Sequence, residues 1–137
     1  MKKVYPVILT QSKKEVLVEI PDFNLFTEGK DLNDAIVMAR DAIGLQGISK
    51  QDHGEKIPEA SKMEDIKISQ GKFASIGESL LTLVDIDFDI YRRKQDQKMV
   101  RRNVTLPNWL NVAADEANIN VSGVLQEALK KRLGFVK

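Results

Sequence analysis

The chain has 137 residues, 42% hydrophobic and 30% charged, with a formal net charge of +1. This fits one soluble domain or two small ones and excludes an unstructured polymer. No apolar run reaches the ~18 residues of a spanning helix, the first residues lack a secretory signal core, and the absence of cysteine excludes disulfides and thiolate metal sites. The expectation is a cytoplasmic protein without a membrane partner.

The small net charge hides a polarity. Residues 1–97 carry 14 Lys or Arg against 17 Asp or Glu, and residues 98–137 carry 7 against 3. An acidic front and a basic back suggest two partners of opposite charge.

Residues 2–10 and 15–20 are rich in Val, Ile and Leu and flank the polar turn Gln11-Ser12-Lys13-Lys14, which predicts a β-hairpin. Pro6 cannot donate to a ladder and predicts an edge or a strand start. Pro21-Asp22 ends the second strand, and Thr27-Glu28-Gly29 reads as another turn. Asp31 is the expected N-cap of a helix with Leu32, Ala35, Ile36, Ala39 and Ile43 on one face, Asp31 and Asp34 lying where the dipole favours acid. Gly44 and Gly47 predict that it stops near Leu45.

Residues 46–78 read as loop, with a short strand at 66–68 and Phe73. Residues 79–90, SLLTLVDIDFDI, predict a strand, with Val84, Ile86, Phe88 and Ile90 facing one way and Asp85, Asp87 and Asp89 the other. The charged run 91–98 reads as a linker and divides the chain into 1–94 and 95–137. The front half is a small α+β layer, one helix packed on a short sheet.

Residues 98–106 predict one more strand, with Val104 and Leu106 on one face and Arg101, Asn103 and Thr105 on the other. Pro107 breaks it. Leu110, Ala113, Ala114 and Ala117 mark a first helix, and Asn118 and Asn120 flank a turn. Ser122 is the expected N-cap of a second helix with the stripe Leu125, Ala128, Leu129 and Leu133, closed by Gly134. One strand and two short helices cannot bury enough surface to fold alone. Two chains pairing these strands antiparallel about a two-fold axis would share one core as a homodimer. The outer face of that ribbon shows Arg101, Asn103 and Thr105 twice, and these side chains suit base edges in a major groove wide enough for two strands. Ser122 and Gly123, at a helix N-terminus, are placed to hold a DNA phosphate. Lys130, Lys131 and Arg132 complement the dipole at the other end, and Trp109 reads as a packing residue.

No nucleophile elbow or Gly-rich phosphate loop is present, so no catalytic residue, cofactor or metal is expected. Asp85, Asp87 and Asp89 would stand ~6.5–7 Å apart on one strand face. A metal cluster there needs converging carboxylates that the sequence does not offer, and the face reads instead as solvated, able to receive a basic partner. His53, in a polar loop, reads as a surface residue.

The segment 98–133 resembles the ribbon-helix-helix family of DNA-binding proteins, through the strand RNVTLP, the two helix patterns and the capped start at Val121-Ser122. Arg102 departs from the pattern, since its register position is usually apolar. The front half is similar to the HicB antitoxins. The likeness lies in Tyr5-Pro6-Val7-Ile8, Ile20-Pro21-Asp22, Thr27-Glu28-Gly29, the helix bearing Ala35 and Ala42, and Ile57-Pro58-Glu59-Ala60-Ser61. Asn24-Leu25 stands where the family usually has Pro-Gly, and Pro58-Glu59-Ala60-Ser61 replaces a tighter Pro-x-Pro-Ser. The resemblance implies a degenerate ribonuclease-H-like layer that masks a small basic HicA-like mRNA-cleaving toxin, without chemistry of its own. It further implies a C-terminal ribbon-helix-helix module that binds double-stranded operator DNA as a dimer, or as a dimer of dimers, and represses its own operon. The expected toxin contacts are Tyr5, the Asp22-Phe23 corner, and the face of Asp85, Asp87 and Asp89. Two alternatives stay open: a metabolite-responsive ribbon-helix-helix repressor without a toxin, and a nuclease built on the aspartate face.

Overall fold

A computed structural model describes residues 1–135. Two runs rich in Val, Ile and Leu near the N-terminus form the hairpin β1 (Lys2–Gln11) and β2 (Val16–Ile20), closed by a bond from the Ser12 N–H to the Glu15 carbonyl at 2.9 Å. A 3-10 turn at Pro21–Phe23 leads into β3 (Leu25–Gly29). The turn expected at Thr27-Glu28-Gly29 is therefore strand, because Leu25–Gly29 pairs antiparallel with β2, Ile20 opposite Leu25. The long helix α1 (Leu32–Asp52) follows, and β4 (Ser79–Asp87) pairs antiparallel with β1 to give the order β3-β2-β1-β4.

Pro6 lies in the interior strand β1, not at an edge. Its neighbours Tyr5 and Val7 bond toward β4, so its missing N–H points toward β2. The antiparallel register that sets Ile8 opposite Glu19 reaches Pro21 at that point, where β2 has ended. No ladder bond is lost.

One face of the sheet carries Tyr5, Val7, Leu9, Val16, Val18, Ile20, Val84 and Ile86, all buried against Ala35, Ala39 and Ile43 of α1. Asp31 caps α1, accepting from the Asp34 N–H at 2.8 Å, while Asp34 accepts from the Lys30 N–H at 2.8 Å. The first bond satisfies a helix-start donor, and the second ties the residue before the cap to the first turn. Leu32, expected on the buried stripe, is 51% exposed.

Two expected boundaries move, and for one reason. α1 runs past Leu45 to Asp52, and residues 88–95, read as strand end and linker, form α2 (Phe88–Gln95). A Cβ on Gly44 would stand 2.7 Å from the Tyr91 ring, and one on Gly47 would stand 2.2 Å from the Phe88 ring. The glycines thus clear a seat on α1 for two aromatic side chains of α2. That packing offsets the ~1 kcal/mol that each glycine costs a helix. The strand expected at 66–68 is replaced by 3-10 turns at Met63–Asp65 and Ile68–Gln70. Side chains tie this excursion down: Phe73 meets Phe26 edge to face at 5.7 Å, and the Lys72 N–H bonds Glu19 at 2.8 Å.

The chain divides into two compact units, Met1–Lys98 and Met99–Lys137. The second holds α3 (Asn108–Glu116) and α4 (Val121–Arg132). Asn118 adopts the left-handed conformation at φ 53°, and Gly134 does so after α4 at φ 84°. The Phe135 N–H returns to the Lys130 carbonyl at 2.8 Å, and the Gly134 N–H to Lys131 at 3.2 Å. This is a glycine C-cap that satisfies the last carbonyls. No helix among the described residues is long and apolar enough to cross a membrane.

Candidate functional site

The front unit brings Tyr5, Asp22 and Phe23 together. Tyr5 is fully buried, its ring meets Phe23 edge to face at 4.9 Å, and its hydroxyl donates to the Pro58 carbonyl at 2.7 Å. The Asp22 carboxylate accepts from the Ser61 N–H at 2.9 Å and from its hydroxyl at 2.5 Å. Desolvation, then the nearby charges of Asp22 and Glu59, push the Tyr5 hydroxyl up to about 12, so it stays a neutral donor. These residues latch segment 57–61 across the corner. Ser61 entered the sequence reading only as the end of the stretch 57–61, and its bond to Asp22 had no signal there because that partner lies 39 residues away.

The three aspartates do not share a strand face. Asp85 and Asp87 both lie in β4, opposite Val4 and Lys2 of β1. Asp87 turns its side chain onto the start of α2, accepting from the N–H groups of Asp89 at 3.0 Å and Ile90 at 3.3 Å, and Asp89 is in the first turn of α2. The alternation read through residue 90 breaks at Asp87 because an aspartate is a strong N-cap. Phe88 remains buried while Ile90 is 46% exposed. Arg40, which sequence reasoning missed, reaches from α1 to the Asp85 carbonyl at 2.9 Å and its carboxylate at 3.0 Å. That bond, with the Arg40 charge, lowers the Asp85 pKa. The Ile90 N–H is the main cause of the lowered Asp87 pKa. Lys2, Arg40, Asp85, Asp87 and Tyr91 border a cleft of about 230 Å³, and the Tyr91 hydroxyl donates to Asp41 at 3.1 Å.

The Asp87 cap has a testable sign. With a folded pKa below that of the unfolded chain, its contribution is complete above the ordinary carboxylate range and is lost as pH falls through the folded value. Asp87→Ala is expected to lower the melting temperature most near neutrality, with the gap closing in strong acid. A gap unchanged in acid would contradict the cap.

In the second unit Arg101, Asn103 and Thr105 are exposed and lie in a segment without regular secondary structure. The strand expected there is not formed within one chain, since nothing pairs with it. Arg101 and Ser122 border one cleft of about 440 Å³ with Met99, Val100, Arg102 and Leu125. Thr105 borders another with Asn108 and Asn111. Asn120, not Ser122, is the N-cap of α4: its side chain accepts from the Gly123 N–H at 3.1 Å. Asn caps as well as Ser, so the cap falls two residues before the expected Ser122 and the helix begins at Val121. No residue among 99–135 is buried. Trp109 is 71% exposed and Leu133 67%. Among the described residues, no group of three His, Cys, Asp or Glu is placed to hold a metal ion.

The family model described as HicB_like antitoxin of bacterial toxin-antitoxin system matches residues 5–131. No curated protein matches the chain. Among solved structures, the chain is similar to one from a toxin–antitoxin complex of Streptococcus pneumoniae, with 19% identity and a TM-score of 0.60 over 96% of this chain and 99% of that one. It is also similar to the Burkholderia pseudomallei antitoxin HicB, with 21% identity and a TM-score of 0.51 over 98% of both chains. A chain of a HicA3 and HicB3 toxin–antitoxin complex aligns at 21% identity and a TM-score of 0.50, over 62% of this chain and 99% of that one. These superpositions show a shared fold, and the family match spans both compact units. The chain belongs to the HicB-like antitoxins of bacterial toxin–antitoxin systems.

Proposed function

We propose that this antitoxin uses its two units for two partners. The front unit binds and masks a small basic HicA-like mRNA-cleaving toxin, and the back unit binds operator DNA as a homodimer and represses its own operon. The observation that carries the division is the contrast in burial. Residues 1–98 have a complete core of their own, whereas no residue among 99–135 is more than partly buried and Val104, Trp109, Leu110, Leu129 and Leu133 are exposed. An α-helical pair so exposed needs a second copy to form a core. Antiparallel pairing of residues 101–106 between copies would supply the missing ladder of a ribbon-helix-helix module. It would set Arg101, Asn103 and Thr105 on a face that fits the major groove, with Ser122 and Gly123 near the backbone phosphates.

In the front unit, the order β1-β2-β3-α1-β4 supports a degenerate ribonuclease-H-like layer. Its exposed Asp85 and Asp89 meet the basic toxin, with Asp87 shaping the turn between them. Tyr5, Asp22 and Phe23 act from beneath, by holding segment 57–61. Neutralisation is steric and electrostatic, without catalysis by this chain. Co-expression with a small basic reading frame beside the gene is expected to yield a complex that survives purification. Asn at positions 85, 87 and 89 together is expected to weaken it. Affinity unchanged by that triple substitution would remove the aspartates from the interface.

A further inference from the structure

We infer that the outward face of α1 is a docking surface for a basic amphipathic helix, supplied by the toxin; this rests on the toxin reading above. α1 has apolar residues on both of its sides. Ala35, Ala39 and Ile43 face the sheet. On the outward side Val37 and Leu45 are each 54% exposed, and Met38 and Ile48 are half-buried. A helix that had only the sheet to cover would be polar there. Asp34, Met38, Asp41, Leu45, Ile48 and Asp52 recur at alternating intervals of four and three. That spacing lines side chains up along one seam, the arrangement that packs against a second helix.

The charge of the seam selects its occupant. It holds three aspartates and no lysine or arginine. The cations of α1, Arg40 and Lys50, lie off it and bond Asp85 and Glu55. At its N-terminal end Asp34 and Met38 border a cleft of about 380 Å³ with Glu15 and Glu28, beside Lys14 and Lys30. The Glu28 carboxylate, hydrogen-bonded to Glu15, holds the Glu15 pKa above its usual value, and a cation placed there would relieve that crowding. Tyr91 joins the seam to the aspartate cleft, because it borders that cleft with Asp85 and Asp87 and donates to Asp41. The two surfaces therefore form one acidic footprint. A second copy does not fit the seam. Packed antiparallel over its full length, two copies would set Asp34 opposite Asp52 at both ends, and packed parallel they would set each aspartate against itself. Like charges meet either way, whereas a helix with basic residues beside its apolar ones answers the aspartates together with Val37 and Leu45.

The test uses the full chain and the toxin co-expressed from the adjacent basic reading frame. Val37→Lys with Leu45→Lys is expected to weaken the complex about tenfold or more. Val37→Glu with Leu45→Glu is expected to weaken it less, because added acid still suits a basic partner. Both positions are exposed, so the melts of the free variants stay near that of the parent. Because the chain has no cysteine, Leu45→Cys reports cover of the seam directly. Its alkylation is expected to slow at least about tenfold in the complex, while Lys13→Cys, in the turn between β1 and β2, reacts at one rate free and bound. If the parent chain forms no complex, the toxin reading falls and takes this inference with it. If the parent binds, the inference alone is overturned by a Lys pair that binds as tightly, by a Glu pair that loses as much as the Lys pair, or by equal alkylation of Leu45→Cys free and bound. A Lys pair that lowers the assembly mass of the antitoxin without toxin would also overturn it, since the seam would then hold a second copy.

Discussion

Replacing Phe88 with alanine is expected to cost the front unit ~3–5 kcal/mol of unfolding free energy. Phe88 is 1% exposed and is the first residue of α2. Its ring lies against Gly47 so closely that a Cβ there would stand 2.2 Å from Cε1. It is thus the contact through which β4, α1 and α2 close on one another. The void cannot collapse easily, because Asp87 caps α2 at one side and Tyr91 is seated on Gly44 and bonded to Asp41 at the other. Gly47→Ala should fail for the complementary reason, overpacking the same seat by ~1–3 kcal/mol. Urea unfolding of both variants checks this pair. A loss below ~1 kcal/mol for Phe88→Ala would mean that the seat is not a packing site.

Arg101→Ala is expected to weaken operator binding by ~1–3 kcal/mol, as for an arginine that reads a base, and to relax sequence preference at one position in each half-site. Arg101 is exposed and lies near the start of α4, where free backbone N–H groups favour a phosphate. Replacing Lys130, at the far end of α4, should change affinity little. Binding measured against salt for both variants separates the roles, because a phosphate contact lowers the salt slope while a base contact alters discrimination. Full-strength, fully selective binding by Arg101→Ala would remove Arg101 from the reading face.

Much of this architecture was legible in the sequence because it is local. The β1-β2 hairpin, the Asp31 cap of α1, the left-handed Asn118 and the Gly134 stop follow from strand alternation and cap chemistry. What was not legible depends on distant contacts. Gly44 and Gly47 read as breakers until Tyr91 and Phe88 are seen to sit on them, and Asp87 reads as one more outward strand residue until it bonds Asp89 and Ile90. β3 was missed because a run of five residues containing Glu28 and Gly29 has a weak strand signature, and only pairing with β2 settles it. At the candidate site, Tyr5 and the Asp22-Phe23 corner were singled out separately as toxin contacts, and nothing in the sequence joined them. The structure buries Tyr5 and Phe23 and engages Asp22 with Ser61. The roles of Arg40 and Ser61 were not legible, since each acts across 39 or more residues.

The central claim is a division of labour between the two compact units, and a fragment of residues 1–98 tests it most directly. The burial of its core within those residues predicts that the fragment folds and still inhibits RNA cleavage by the cognate toxin, while operator binding in a mobility-shift assay is lost. Loss of toxin inhibition by a folded fragment, or retained operator binding, would contradict the account.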